Sequence, residues 1–151
     1  MSFLSTLNIA GSGMTAQQTR LDVISENIAN MNTTRTEAGG AYRRKIVTMQ
    51  AQDGRNDFRA AMARAQRVSN AGYTTAGGVR VTDITDDQSD LKLVYDPMHP
   101  DANEDGYVEL PNVDMVQEMA DAMAASQAFS ANVTVFNTLK GVIAKGLEIG
   151  R

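Results

Sequence analysis

Residues 7–31 read LNIAGSGMTAQQTRLDVISENIANM, and in this stretch Leu7, Met14, Leu21 and Ile28 recur every seven residues. Phe3, Ala10, Ile24 and Met31 fall at the interleaved three-and-four spacing. That is the pattern of a heptad seam on a long helix. Gly11 and Gly13 each lower intrinsic helicity by about 1 kcal/mol relative to Ala, so the helix needs a partner to be fully formed. The seam ends in Asn30-Met31-Asn32-Thr33-Thr34, residues that favour turns.

A second long helix is expected at the other end of the chain. Pro111-Asn112-Val113-Asp114 supplies its start, because Asn112 or Asp114 can accept from free first-turn amides and Asp114 suits the positive end of the helix dipole. Met115, Met119, Ala122, Phe129, Val133, Phe136, Ile143 and Leu147 then follow alternating four-and-three spacing, interrupted by Ser126 and Lys140. The pattern implies ~55 Å of helix at 1.5 Å per residue, more than a domain of this size can cover alone. Between the helices the period shifts towards two. Tyr42–Gln50, Gly78–Ile84 and Leu91–Tyr95 read as strands, and residues 53–70 as a mobile or partner-dependent insertion. The expected architecture is mainly α with a small β-rich insertion. It has an N-terminal helical segment over 1–34, a β-rich middle over 35–112, and a C-terminal helix over 113–151 that pairs with the first as a coiled coil.

Charge sharpens this picture. The chain of 151 residues carries a net charge of −4, yet no charged residue occurs in 1–19 or in 122–139. These neutral runs are rich in Ser, Thr, Asn and Gln, which hydrocarbon penalises, so they are not transmembrane helices. Helices without a charged face bury more than one side, and in a small chain the second side belongs to another molecule. Residues 35–80 hold nine basic and three acidic side chains, whereas residues 81–112 hold one basic and nine acidic. Such a split either steers head-to-tail packing of like subunits or marks two solvated faces of one sheet domain.

Several chemistries are excluded by composition. There is no Cys and only one His, His99, so disulfides, thiolate zinc sites, thiol catalysis and multi-His metal sites are absent. No nucleophile, base and orienting group can be assembled, and no enzyme, cofactor or metal site is expected. The acidic balance and the lack of interleaved aromatics argue against nucleic acid, and Arg43-Arg44-Lys45 reads as a strand with outward charges. Asp101-Ala102-Asn103-Glu104-Asp105-Gly106-Tyr107-Val108 matches the opening of an EF-hand calcium loop. Its twelfth position, however, is Asn112 where the loop needs a bidentate Glu, so a turn leading into the C-terminal helix is expected. No basic n-region precedes an apolar run, so no cleavable secretory signal is expected.

Ser25-Glu26-Asn27-Ile28-Ala29-Asn30-Met31-Asn32-Thr33 resembles the signature shared by bacterial flagellar rod and hook proteins. Gly106-Tyr107-Val108-Glu109-Leu110-Pro111-Asn112-Val113-Asp114, preceded by Tyr95-Asp96-Pro97 and His99-Pro100-Asp101, is similar to the segment typical of the proximal-rod FlgC family. The signature positions are Asn27, Ala29, Asn30, Thr33, Gly106, Tyr107, Pro111, Asn112 and Asp114. The resemblance implies a structural subunit of the basal-body rod, exported by the flagellar type III apparatus and polymerising through paired terminal helices into a torque-transmitting shaft. Its implied partners are other rod proteins, the rod-base adaptor and neighbouring copies of itself. The expected interface carriers are Leu7, Met14, Leu21, Ile28, Met119, Phe129, Val133, Phe136 and Leu147. Asn27 and Asn30 read as helix-end and inter-subunit hydrogen-bonding groups. The competing readings are a soluble coiled-coil adaptor and a calcium-responsive binding module.

Overall fold

The computed structural model describes residues 3–52, 62 and 77–149. Helix α1 spans Phe3–Ala29 and helix α2 spans Met115–Ile149. Between them lie β1 (Lys45–Ala51), β2 (Val79–Asp86), β3 (Lys92–Tyr95) and β4 (Tyr107–Leu110). The strands form two separate two-stranded sheets, β1 with β2 and β3 with β4. The chain is thus mainly helical with a β insertion, as its periodicity predicts. The fourth strand was not predicted, because Tyr107–Leu110 is short and sits in a segment dominated by turn residues. The insertion expected at 53–70 lies outside the described residues apart from Met62.

The chain divides into two compact units. One comprises Met1–Gln18, Met49–Thr82 and Gln127–Arg151, and the other Thr19–Thr48 and Asp83–Ser126. In the first unit Ala10 and Ala16 of α1 are buried. Gly13 is the point of close approach between the helices, since a β-carbon there would stand 3.0 Å from Asn132 Nδ2 of α2. Ser12 Oγ donates to the Ile9 carbonyl at 2.8 Å and accepts from the Val79 amide at 3.0 Å, which ties the start of β2 to α1. Gly78, at φ +146°, passes so close that an added β-carbon would lie 2.6 Å from that hydroxyl. The backbone conformation and the space both require glycine.

In the second unit Val23, Ile24 and Asn27 of α1 are buried with Tyr42, Val108, Val113 and Ala125. Helix α1 closes as the turn residues predict. The Asn30 backbone amide and side chain both donate to the Glu26 carbonyl, at 3.1 and 2.9 Å, and the Asn30 side chain accepts from Thr33 Oγ1 at 3.2 Å. Helix α2 opens on Asp114, whose Oδ1 accepts from the Val116 amide at 2.9 Å. Strands β3 and β4 are antiparallel, with Tyr95 opposite Tyr107 and Val94 opposite Val108. Their connection closes through Gly106 at φ +77°.

Candidate functional site

The most deeply buried polar groups of the second unit are Asn27 of α1 and Glu118 of α2, at 1% and 0% exposure. Asn27 Nδ2 donates to Glu118 Oε2 at 3.1 Å and to the Lys45 carbonyl at 3.0 Å. Its Oδ1 accepts from the Tyr42 hydroxyl and the Lys45 amide, both at 2.9 Å. All four hydrogen-bonding positions of the amide are therefore used. Burial of an amide and a carboxylate is costly unless every group is met, and here it is.

Glu118 is also met by a charge. Arg44 Nε donates to Glu118 Oε1 at 2.5 Å, while its terminal nitrogens lie 3.5 Å from Asp121 Oδ2 and 4.0 Å from Asp87 Oδ2. Asp121 is shared with Arg20 of α1 at 3.1 Å. The Arg44 amide donates to Asn112 Oδ1 at 2.8 Å, and Asn112 Nδ2 donates to the Asp87 carbonyl at 3.2 Å and Ser89 Oγ at 2.7 Å. Two helix ends, the start of β1 and the loop after β2 are thus joined by one polar network. Burial first, and then the charges of Glu26, Asp86 and Glu118, push the Tyr42 phenol up to about 12 from its ordinary 10.0. Hydrogen bonds from the Ser89 amide and hydroxyl hold the Asp87 carboxyl below its ordinary value.

This arrangement corrects two expectations. Arg43, Arg44 and Lys45 do not form an outward basic strand. Arg44 is spent on Glu118, Arg43 Nη1 on the carbonyls of Asp87 and Ser89, and Lys45 on the Glu26 carboxylate. Part of the basic and acidic split along the chain is therefore neutralised internally, because uncompensated charge next to buried groups costs several kcal/mol. Asn27 is likewise not available to a neighbouring subunit, since its whole capacity is filled within the chain.

Other signature residues also have structural tasks. Asn30 and Thr33 close α1, Asp114 caps α2, Pro111 is buried beside the network, and Gly106 and Tyr107 form the turn into β4. Ala29 is exposed at the end of α1. In the calcium-like loop, Asn103 Oδ1 accepts from the amides of Asp105 and Tyr107, and Asp101 accepts from Thr34 at 2.8 Å. The His99 Nδ1 accepts from the Asp101 amide at 3.1 Å. The side chains thus shape a turn.

The helix contacts follow a register the periodicity did not single out. Arg20 and Asn27 on α1 meet Asp121 and Glu118 on α2, so the helices run antiparallel in the second unit. Gly13, Arg20 and Asn27 are spaced by sevens, as are Glu118, Ala125 and Asn132. The apolar stripe Leu7, Met14, Leu21 and Ile28 lies one position further on, about 100° around the helix, and each of its members is only half-buried. On α2, Phe129, Val133 and Phe136 are half-buried, while Met119 is 50% exposed and Leu147 71%. Val116, Met123, Val135 and Val142 are exposed alongside them. No helix among the described residues is long and apolar enough to cross a membrane.

Comparison with known families assigns these segments. Residues 7–35 match the model of the flagella basal body rod protein family, and residues 104–149 match that of the flagellar basal body rod FlgEFG protein C-terminal family. Asn27 comes from the first matched segment, and Asn112 and Glu118 from the second. The chain is 43% identical to the flagellar basal-body rod protein FlgC of Bacillus subtilis over the full length of both. It is 43% identical to FlgC of Borreliella burgdorferi over 99% of this chain and 98% of the relative, and 39% identical to FlgC of Escherichia coli O6:H1 over the full length of both. The chain belongs to the FlgC family of flagellar basal-body rod proteins. This kinship does not favour the adaptor or the calcium module.

Proposed function

We propose that the chain is a structural subunit of the flagellar basal-body rod, polymerising through its terminal helices into the axial drive shaft. One observation carries the mechanism: the stripe Leu7, Met14, Leu21 and Ile28 runs beside the intramolecular contact register and is left half-open by it. Apolar surface at coiled-coil spacing favours burial against another helix, at roughly 25 cal/mol per Å². The stripe, with Met119, Phe129, Val133, Phe136 and Leu147 of α2, forms the subunit interface. The terminal segments, 1–34 and 113–151, build the inner tube, and the β-rich middle, 35–112, lies outside it. Packed helices near one axis resist twist because close-packed side chains have low compressibility, and so the assembly transmits torque.

The rod crosses the periplasm, and the subunit reaches it through the flagellar type III export apparatus without a cleaved signal. Its neighbours are copies of itself, other rod proteins and the rod-base adaptor. To test this, Leu21→Glu and Leu147→Glu variants are expressed in a flagellated bacterium lacking its own copy. The purified variants should unfold in urea as the parent does, while isolated basal bodies lack them and the cells do not swim. Normal incorporation of both variants would overturn the proposal.

A further inference from the structure

The β3–β4 hairpin presents two unlike faces. Residues opposite one another in an antiparallel pair share a face, so Val94, Val108 and Leu110 lie on one side and Leu93, Tyr95, Tyr107 and Glu109 on the other. Val108 is buried at 3% exposure, which marks the β4 half of its side as the inner one, while Val94 opposite it is 44% exposed. On the outer side Leu93 is 64% exposed, Tyr95 65% and Tyr107 43%, and Met98 in the following loop is 93% exposed. Tyr95 and Tyr107 stack edge to face with centroids 5.2 Å apart, so the patch has a fixed shape. Asp90, Asp96, Glu104, Asp105 and Glu109 are exposed around it. No cation among the described residues pairs with these five. An apolar centre with two tyrosines and a charged rim is the make-up of a protein interface.

The chain itself carries the complement. Residues 53–70 interleave Phe58 and Met62 with Arg55, Arg59, Arg64 and Arg67 against Asp53 and Asp57. Met62 is half-exposed. Arg20, Arg43, Arg44 and Lys45 are already committed to internal acids and carbonyls. By sequence, segment 53–70 carries four arginines against two aspartates, whereas the hairpin is rimmed by carboxylates that no described cation meets. We infer that the outer face of the β3–β4 hairpin is the docking surface for the arginine-rich segment 53–70 of a second copy of this chain. Apolar residues would cover Tyr95, Leu93 and Met98 while arginines meet the acidic rim, which gives both area and register. Such a contact joins two different patches, so it is head-to-tail, the kind of interface that builds an open helical assembly when its rotation does not close. The inference rests on the rod-subunit reading and adds to it a contact outside the helical tube.

The absence of Cys makes a direct test available. Met62→Cys and Met98→Cys variants are co-expressed in cells lacking the native copy, basal bodies are isolated and oxidised, and dimers are mapped by mass spectrometry. A dimer linking 62 to 98 between chains is expected. Its yield should fall about fivefold when Asp105 and Glu109 are both changed to Lys, and recover when Arg59→Glu and Arg64→Glu are added in the partner copy. The same charge-swap series, read as incorporation into basal bodies without any Cys, keeps the test valid if the Cys variants fold poorly. Basal bodies that contain both variants yet link only like positions, or give no link at all, would overturn the contact and leave the rod reading standing. Absence of even the unsubstituted chain from basal bodies would overturn both.

Discussion

The carboxylate of Glu118 and the side-chain amide of Asn27, 91 positions apart in sequence, meet at 3.1 Å with neither exposed to solvent beyond 1%. Neither can be removed alone without stranding its partner. Asn27→Ala leaves the Tyr42 hydroxyl, the Lys45 amide and carbonyl, and one Glu118 oxygen without this partner, and should cost about 2–4 kcal/mol. Asn27→Asp places a second carboxylate against Glu118 and should cost at least as much at neutral pH, with partial recovery on acidification. Urea unfolding of the purified chain checks both.

Glu118 and Arg44 form the charged half of the same network. Glu118→Ala should destabilise by about 3–5 kcal/mol because it leaves the guanidinium buried beside an empty space. Replacing both, with Glu118→Leu and Arg44→Met, should cost less than the sum of the single changes, since no uncompensated charge remains. A double-mutant cycle in urea measures the difference. Equal additivity would mean that Asp121 and Asp87 already satisfy the arginine.

The buried phenol of Tyr42 predicts an alkaline limit. Its pKa is pushed up to about 12 from 10.0, so the folded state holds the proton that the unfolded state releases. The stabilising contribution is complete below pH 10.0 and is lost as pH rises towards about 12. Phenolate absorbance, compared between the parent and Tyr42→Phe, should place this titration near 12, and the parent should lose stability more steeply than the variant over that interval.

Asp87 acts at the other end of the scale. The Ser89 hydrogen bonds, with lesser help from Arg44 and Arg43, lower its pKa, so its contribution is present above its ordinary 3.8 and fades as pH falls through the folded value. Ser89→Ala removes the hydroxyl from Asp87 and from Asn112. It should make acid unfolding begin at higher pH, as followed by circular dichroism.

Glycines on one helix should respond in opposite ways. A β-carbon at Gly11 meets nothing within 4 Å, so Gly11→Ala should stabilise α1 by up to about 1 kcal/mol. Gly13→Leu instead forces the helices apart where Asn132 already stands at 3.0 Å and should destabilise by about 1–3 kcal/mol. Thermal unfolding of the two variants checks the sign.

Long elements were legible in the chain because each repeats its signal many times. The helices, three of the strands, the Asn30–Thr33 turn and the Asp114 cap follow from period and turn chemistry alone. The network was not legible. Tyr42 and Arg44 have no periodic signature, Glu118 repeats by sevens only with Ala125 and Asn132, which share no hydropathy, and Arg43-Arg44-Lys45 looks like any solvated basic strand until distant acids are placed beside it. A faint signal existed in Glu118 and Asp121, the acids that open an otherwise nearly uncharged helix. The contact register was missed for a related reason. Gly13, Arg20 and Asn27 repeat by sevens but are not apolar, so hydropathy favoured the adjacent stripe.

Because Asn27 and Arg44 wait for a carboxylate that lies at position 118, synthesis imposes a delay on this chain. A ribosome that has released only the first hundred residues has displayed an amide and a guanidinium whose partner has not yet emerged. The lock cannot close until Glu118 has emerged, and every fragment that ends before it remains an open thread.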